Sequence, residues 1–153
     1  MSDVGIFFVN NCFQLVIEDG DLKGDDGLET AVTISLFTDR RARIDELPEG
    51  TSLRRGWWGD LFPTTPGDQI GSKLWTVIDR GKVLPEIIPV VEAAARESLD
   101  WMIREGVASA VSVEASIDDI NRLNLAVSIV RPEDLSENRF AFLWEGQEIV
   151  RMS

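Results

Sequence analysis

Leu123-Asn124-Leu125-Ala126-Val127-Ser128-Ile129 carries the clearest secondary-structure signal in the chain. Large apolar residues occupy every second position, and small or polar residues stand between them. Successive side chains of a strand point to opposite faces, so this run predicts a strand buried on one face and wetted on the other. That is the habit of antiparallel sheets. Upstream, Val107, Ser109, Val111 and Val113 alternate with Ala108, Ala110 and Ser112, a second strand. The link Ser116-Ile117-Asp118-Asp119-Ile120-Asn121 reads as a hairpin connection or a small excursion. Downstream, Arg131-Pro132 ends the central run, because proline cannot continue a ladder. Phe140, Phe142 and Trp144 form a third strand, followed by Gly146 and a short tail. Their shared face carries no charge, so at a sheet edge this strand would invite pairing by another chain.

The rest of the chain supplies helices and a shorter strand region. With Pro85 and Pro89 at its start, a helix runs to Arg104, with Ile88, Val91, Ala95, Leu99 and Met102 on one face, Trp101 beside it and Gly106 as its terminator. Between Asp26 and Asp39, Leu28, Ala31, Val32, Ser35 and Leu36 follow the spacing of another buried helical face. Asp25 or Asp26 is its expected N-cap, and Arg40 and Arg41 close the end where the helix dipole favours cations. A short helix from Gly71 to about Arg80 has Ile70, Leu74, Val77 and Ile78 as its apolar face. In residues 5–18, Ile6 and Phe8, then Phe13, Leu15 and Ile17, alternate as strand, with Asn10-Asn11 as a turn. The expected fold is α+β, a mainly antiparallel sheet with helices packed on one face, in a single domain spanning residues 1–153.

Composition excludes much chemistry. The chain has 153 residues, a net charge of −12, one cysteine and no histidine. Ser-His-Asp and Cys-His nucleophile systems are therefore impossible, and zinc sites lose a common ligand. Cys12 has no internal disulfide partner. The negative charge opposes nucleic acid and anionic membrane. No apolar run approaches the roughly 20 residues that span a bilayer, and Met1-Ser2-Asp3 lacks the basic region of a secretion signal, so a cytosolic origin is expected. Gly71-Ser72-Lys73 has the wrong order and spacing for a phosphate loop. The loop from Asp19 to Gly27 fits a calcium loop at Asp19, Asp21 and Gly24, but Lys23 and Thr30 stand where ligands are required, so a solvated turn is expected. No metal or cofactor is expected. An enzyme reading survives only as a glycoside hydrolase built on Asp60 beside Trp58, since that chemistry needs paired carboxylates.

The unusual stretch is Arg54-Arg55-Gly56-Trp57-Trp58-Gly59-Asp60, inside an irregular segment spanning residues 44–67. Adjacent tryptophans cannot share one face of a strand or helix. Flanking glycines permit sharp turns and close backbone approach. The expectation is a loop that holds aromatic surface in place, with one ring inward and one outward. Lys23 is the only basic side chain before residue 40, against eight acidic ones, whereas Arg40, Arg41, Arg43, Arg54 and Arg55 fall within sixteen positions. Trp and Arg dominate interface hot spots, so the candidates for partner binding are Arg40, Arg41, Arg54, Arg55, Trp57, Trp58, Asp60, Trp75, Phe140, Phe142 and Trp144. No catalytic residue is assigned.

Three blocks taken in order make the chain recognisable: Ser35-Leu36-Phe37-Thr38-Asp39-Arg40-Arg41-Ala42, then Arg55-Gly56-Trp57-Trp58-Gly59-Asp60, then Gly71-Ser72-Lys73-Leu74-Trp75. With Leu99-Asp100-Trp101 and Gly106-Val107-Ala108, they resemble the Mu-like phage baseplate protein family over nearly the whole chain. That family is distantly similar to the baseplate wedge (sheath-initiator) proteins of contractile tails. The resemblance implies a non-catalytic virion protein with a fold similar to the tail-sheath and wedge domain, made in the bacterial cytoplasm and located in the tail baseplate. It implies other wedge proteins and tail sheath subunits as partners, and a role as template for sheath polymerisation. It implies no nucleic acid, membrane insertion, small-molecule substrate or cofactor. The wider wedge family carries a Glu-Pro-Arg signature that this chain lacks; Leu84-Pro85-Glu86 and Arg131-Pro132-Glu133 are its nearest fragments. The alternative is a lysozyme-like cell-wall hydrolase of the tail.

Overall fold

The alternating run at residues 123–129 lies in an inner strand of a four-stranded antiparallel sheet in the computed structural model, which describes residues 3–9, 12–25, 27–78, 85–145 and 148–152. The chain begins with short strands: β1 (Asp3–Val4), β2 (Phe7–Val9), β3 (Cys12–Gln14), β4 (Ile17–Glu18), β5 (Asp21–Leu22) and β6 (Gly24–Asp25). They pair as three antiparallel ribbons, β2 with β3, β4 with β5, and β1 with β6. Helix α1 (Leu28–Phe37), a long irregular segment, a single helical turn α2 (Trp75–Ile78) and helix α3 (Ile88–Arg104) follow. The sheet closes the chain: β7 (Ala110–Ile117), β8 (Leu123–Val130), β9 (Glu137–Glu145) and β10 (Glu148–Met152), in the order β10-β9-β8-β7. The α+β class and the antiparallel pairing are as the alternation requires. The turn at Asn10-Asn11, Asp26, residues 79–84 with Arg80 and Leu84 among them, and Gly146 lie outside the described residues.

Register explains the core. Leu123, Leu125 and Val127 of β8 stand opposite Trp144, Phe142 and Phe140 of β9, and opposite Ile117, Ala115 and Val113 of β7. One face of the sheet is thus aliphatic and aromatic. Onto it pack Leu28, Val32 and Leu36 of α1, and Val91, Ala95, Leu99 and Met102 of α3. Phe37, the last residue of α1, meets Phe142 edge to face with centroids 4.9 Å apart, and Phe13 of β3 covers Phe37 at 5.3 Å. Trp144 and Phe142 are among the largest fully buried side chains.

Several expectations change. The aromatic strand is not an edge, because β9 is paired on one side with β8 and on the other with β10, where a tail was expected. Phe140, Phe142 and Trp144 are accordingly buried core residues, not contact surface. Helix α1 is capped by Gly27 at φ 85° with no side-chain cap, so the cap falls after the expected Asp25 or Asp26. Its last turn carries no basic residue; the chain leaves helical geometry at Thr38, before Arg40 and Arg41 can reach the dipole. The Asp19–Gly27 loop contains β5 and β6, short paired strands, in place of a plain solvated turn. The 107–113 run pairs from Ala110 onward, and Gly106 ends α3 at φ 73° as expected.

The hairpin between β7 and β8 is held by Asp118, whose carboxylate accepts the Ile120 and Arg122 amides and the Arg122 Nε. The Arg122 amide, ahead of the other donors, holds the Asp118 carboxyl below its ordinary value. On the outer edge of β7, Arg96 of α3 donates to the Val113 carbonyl at 2.9 Å and Glu92 accepts the Ala115 amide at 3.0 Å. Two backbone groups that would recruit a further strand are therefore already satisfied by helix side chains.

Candidate functional site

The three recognisable blocks, separated in sequence, meet at one junction beyond the end of α1. The Thr38 carbonyl accepts the Ser72 amide, and the Ser72 carbonyl accepts the Arg40 amide, each at 2.9 Å. Ser72 Oγ also donates to the Leu36 carbonyl, and accepts the Leu74 amide. Ala42 and Arg54 are tied twice: the Ala42 amide donates to the Arg54 carbonyl at 3.0 Å, and Arg54 Nε donates to the Ala42 carbonyl at 2.7 Å. Irregular backbone leaves carbonyls that no ladder satisfies, and arginine is the side chain best supplied with donors to reach them.

Arg55 completes the junction. It adopts φ 50°, which aims its guanidinium back at Asp39 Oδ2 (3.0 Å) and over the Trp75 ring, 4.6 Å from the centroid. Trp75 in turn donates its Nε1 to the Arg40 carbonyl at 2.9 Å. Glycines make these approaches possible. A Cβ on Gly71, at φ 91°, would stand 2.2 Å from the Thr38 oxygen, and one on Gly56 would stand 2.8 Å from the Arg41 Cβ.

A polar chain extends outward. Arg40 contacts Glu97 of α3 at 3.2 Å and donates to the Gln69 carbonyl at 3.0 Å. Glu97 is also 3.6 Å from Lys73, which pairs with Glu46 at 2.8 Å. Burial pushes the Glu46 carboxyl up, but hydrogen bonds from Lys73 and the Arg43 amide, with the charges of Lys73 and Arg43, hold it below its ordinary value. The arginines expected to form one outward basic patch are therefore divided. Arg40, Arg54 and Arg55 serve the junction, and Arg41 is left exposed. Trp75 is buried and belongs to the junction as well.

What the junction presents is aromatic. Trp57 and Trp58 stand 5.5 Å apart at the start of a 3-10 turn (Trp58–Leu61), and both are exposed, 43% and 73%. The expected division into one inward and one outward ring is not met. Trp57 instead lies over Gly59, where a Cβ would come within 2.2 Å of its ring. Leu61 and Phe62 extend the apolar ledge, at 69% and 81% exposure. They were missed as candidates; the signal was the apolar pair immediately after Gly59-Asp60 and before Pro63. Asp60 sits beneath the ledge, with Oδ1 accepting the Ile70 amide at 3.2 Å. Behind it lies a groove of about 700 Å³, between this loop and the helices α1 and α3. Among the described residues no group of His, Cys, Asp or Glu could hold a metal ion, and no helix is long and apolar enough to cross a membrane.

The junction, helices α1 and α3 and strands β7 and β8 fall within residues 28–136, which match a family of phage proteins. The chain belongs to that family, described as Phage protein GP46, the Mu-like family that the order of the three blocks indicated. It is similar to baseplate protein gp46 of Escherichia phage Mu, 39% identical over 134 residues that cover 87% of this chain and 90% of that protein. It is also 40% identical over 139 residues to Mu-like prophage FluMu protein gp46 of Haemophilus influenzae (strain ATCC 51907 / DSM 11121 / KW20 / Rd), covering 91% of this chain and 94% of that one.

Proposed function

We propose that this protein is a structural, non-catalytic component of the tail baseplate of a Mu-like phage or prophage, acting as a single domain over residues 1–153. The observation that carries the reading is the match along nearly the whole chain to a protein named as a baseplate protein. The exposed ledge of Trp57, Trp58, Leu61 and Phe62 supports it. Large aromatic side chains held on rigid backbone and left in water are the usual anchors of protein interfaces. Arg41, beside Gly56 and exposed, supplies a charge at the rim of the same surface.

Within the baseplate we place the protein in the wedge, in contact with larger wedge proteins through this ledge, and offering a template to the first ring of sheath subunits. The antiparallel sheet suits that second role. Because Glu92 and Arg96 each take one backbone group on the outer edge of β7, we take the β10 edge, on the far side of the sheet, as the one offered. Synthesis in the host cytoplasm and incorporation into the virion follow from this placement.

The direct test is antibody labelling of intact tails from the phage or induced prophage that encodes the chain. Label is expected at the distal end of the tail, and Trp58→Ala should leave a folded protein that fails to enter tails. Tails that lack the protein altogether would overturn the reading.

A further inference from the structure

The groove behind the ledge holds a polar group for which the fold gives no account. Asp60 Oδ1 accepts the Ile70 amide, whereas Oδ2 is buried and meets no hydrogen-bond donor among the described residues. A carboxylate oxygen removed from water without a donor is unfavourable. An asparagine would hold the Ile70 amide equally well without burying a charge there. The groove volume of about 700 Å³ is that of a binding site rather than a packing flaw. Its apolar walls are Trp57, Phe62 and Trp101, the last fixed by its Nε1 donating to Ser35 Oγ at 3.0 Å. Its other charged lining residues are Asp68, Glu105 and Arg104, and Arg104 is neutralised by Asp100 at 3.2 Å. The groove is therefore acidic on a protein of net charge −12.

We propose that this groove receives a segment of a partner protein that sets a lysine or arginine beside Asp60, uncovering Oδ2 by a small shift of the loop, and lays a neighbouring apolar side chain against Trp57 and Trp101. A nucleic acid would be repelled by the acidic lining, and a neutral ligand would leave its net charge uncompensated. A cationic side chain supplies the donor that Oδ2 lacks, in a charge-assisted hydrogen bond. The aromatic walls match the apolar stem of such a residue and its neighbour. The inference rests on the baseplate reading only in taking the occupant to be a protein.

The test is selection of a random heptapeptide display library on the full-length protein, followed by fluorescence anisotropy with a synthetic peptide of the enriched sequence. Enriched sequences should share a basic residue beside an aliphatic or aromatic one. Asp60→Asn should weaken that peptide at least about tenfold, while its thermal midpoint equals or exceeds that of the parent, because the donor-less carboxylate is gone. Ile34→Trp, which fills the groove from α1 and leaves Asp60 intact, should weaken binding similarly. Absence of any enriched sequence, enrichment without a basic residue, or binding by either folded variant within about twofold of the parent would overturn the proposal. If Asp60→Asn fails to fold, the carboxylate is structural and the proposal falls with it. A failed selection with the protein present in tails defeats the groove proposal alone. Peptide binding by a protein absent from tails defeats the baseplate reading alone.

Discussion

Two aromatic clusters in this protein have opposite fates. Phe140, Phe142 and Trp144 are buried between the sheet and its helices, whereas Trp57, Trp58 and Phe62 stand in water on a 3-10 turn. The difference lies in spacing. Rings at every second position of a strand share one face, so a single packing event buries them all. Rings at adjacent positions cannot be buried together by any one layer, and glycines on either side hold the turn that displays them. Aromatic content alone does not separate buried rings from exposed ones; the interval between aromatics does.

The strongest test of that distinction pairs one residue from each cluster. Trp144→Ala should cost about 3–5 kcal/mol in urea denaturation, since the site is enclosed by β8, β10 and Phe37 and cannot collapse. Trp58→Ala should change stability by no more than about 0.5 kcal/mol. Equal losses in the two variants would show that the ledge is core after all.

Between these extremes lies the junction that supports the ledge. Gly71→Ala must place a Cβ 2.2 Å from the Thr38 oxygen in a left-handed backbone conformation, so a loss of about 2–3 kcal/mol is expected, read by the same denaturation. Arg55→Lys keeps the charge but loses the planar fork that spans Asp39 and the Trp75 ring. About 1 kcal/mol should be lost, and adding salt should reduce the difference only slightly, because the stacking over Trp75 is not an exposed charge pair. An Arg55→Lys variant as stable as the parent would mean that the junction is held by backbone bonds alone.

The fold class, the main helices and the strands β7, β8 and β9 were legible because their apolar periods are long and regular. Strand β10 was not. It is a five-residue run near the end of the chain, and the residues facing it gave no sign that their second side was covered. Missing it made Phe140, Phe142 and Trp144 look like an open edge. The arginines misled for another reason. Their clustering in sequence suggested one charged surface, but an irregular segment turns guanidinium groups toward its own carbonyls. Arg54 on Ala42 and Arg40 on Gln69 are invisible to any pattern, because the partner is backbone. The ledge was legible at Trp57 and Trp58 and not at Leu61 and Phe62, which resemble ordinary core residues until the 3-10 turn carries them outward.

The smallest expected effect separates the two regions by pH. The core cluster contains no titratable group, so the loss caused by Trp144→Ala should be the same at neutral and acidic pH. The junction carries the Lys73–Glu46 pair, and Glu46 is held below its ordinary value of 4.5. A carboxylate with a depressed folded value contributes stability that is present above the unfolded value and lost as pH falls through the folded one. Lys73→Met removes the side-chain partner and leaves only Arg43 to oppose the upward push of burial on Glu46. The stability difference between parent and Lys73→Met should therefore be largest above about pH 5 and should shrink as pH falls below about 4.5. Urea midpoints collected across that range measure it. A difference that stays constant through the acid arm would show that Lys73 contributes by packing its stem rather than by pairing with Glu46, and would leave the junction with the same pH-independent character as the core.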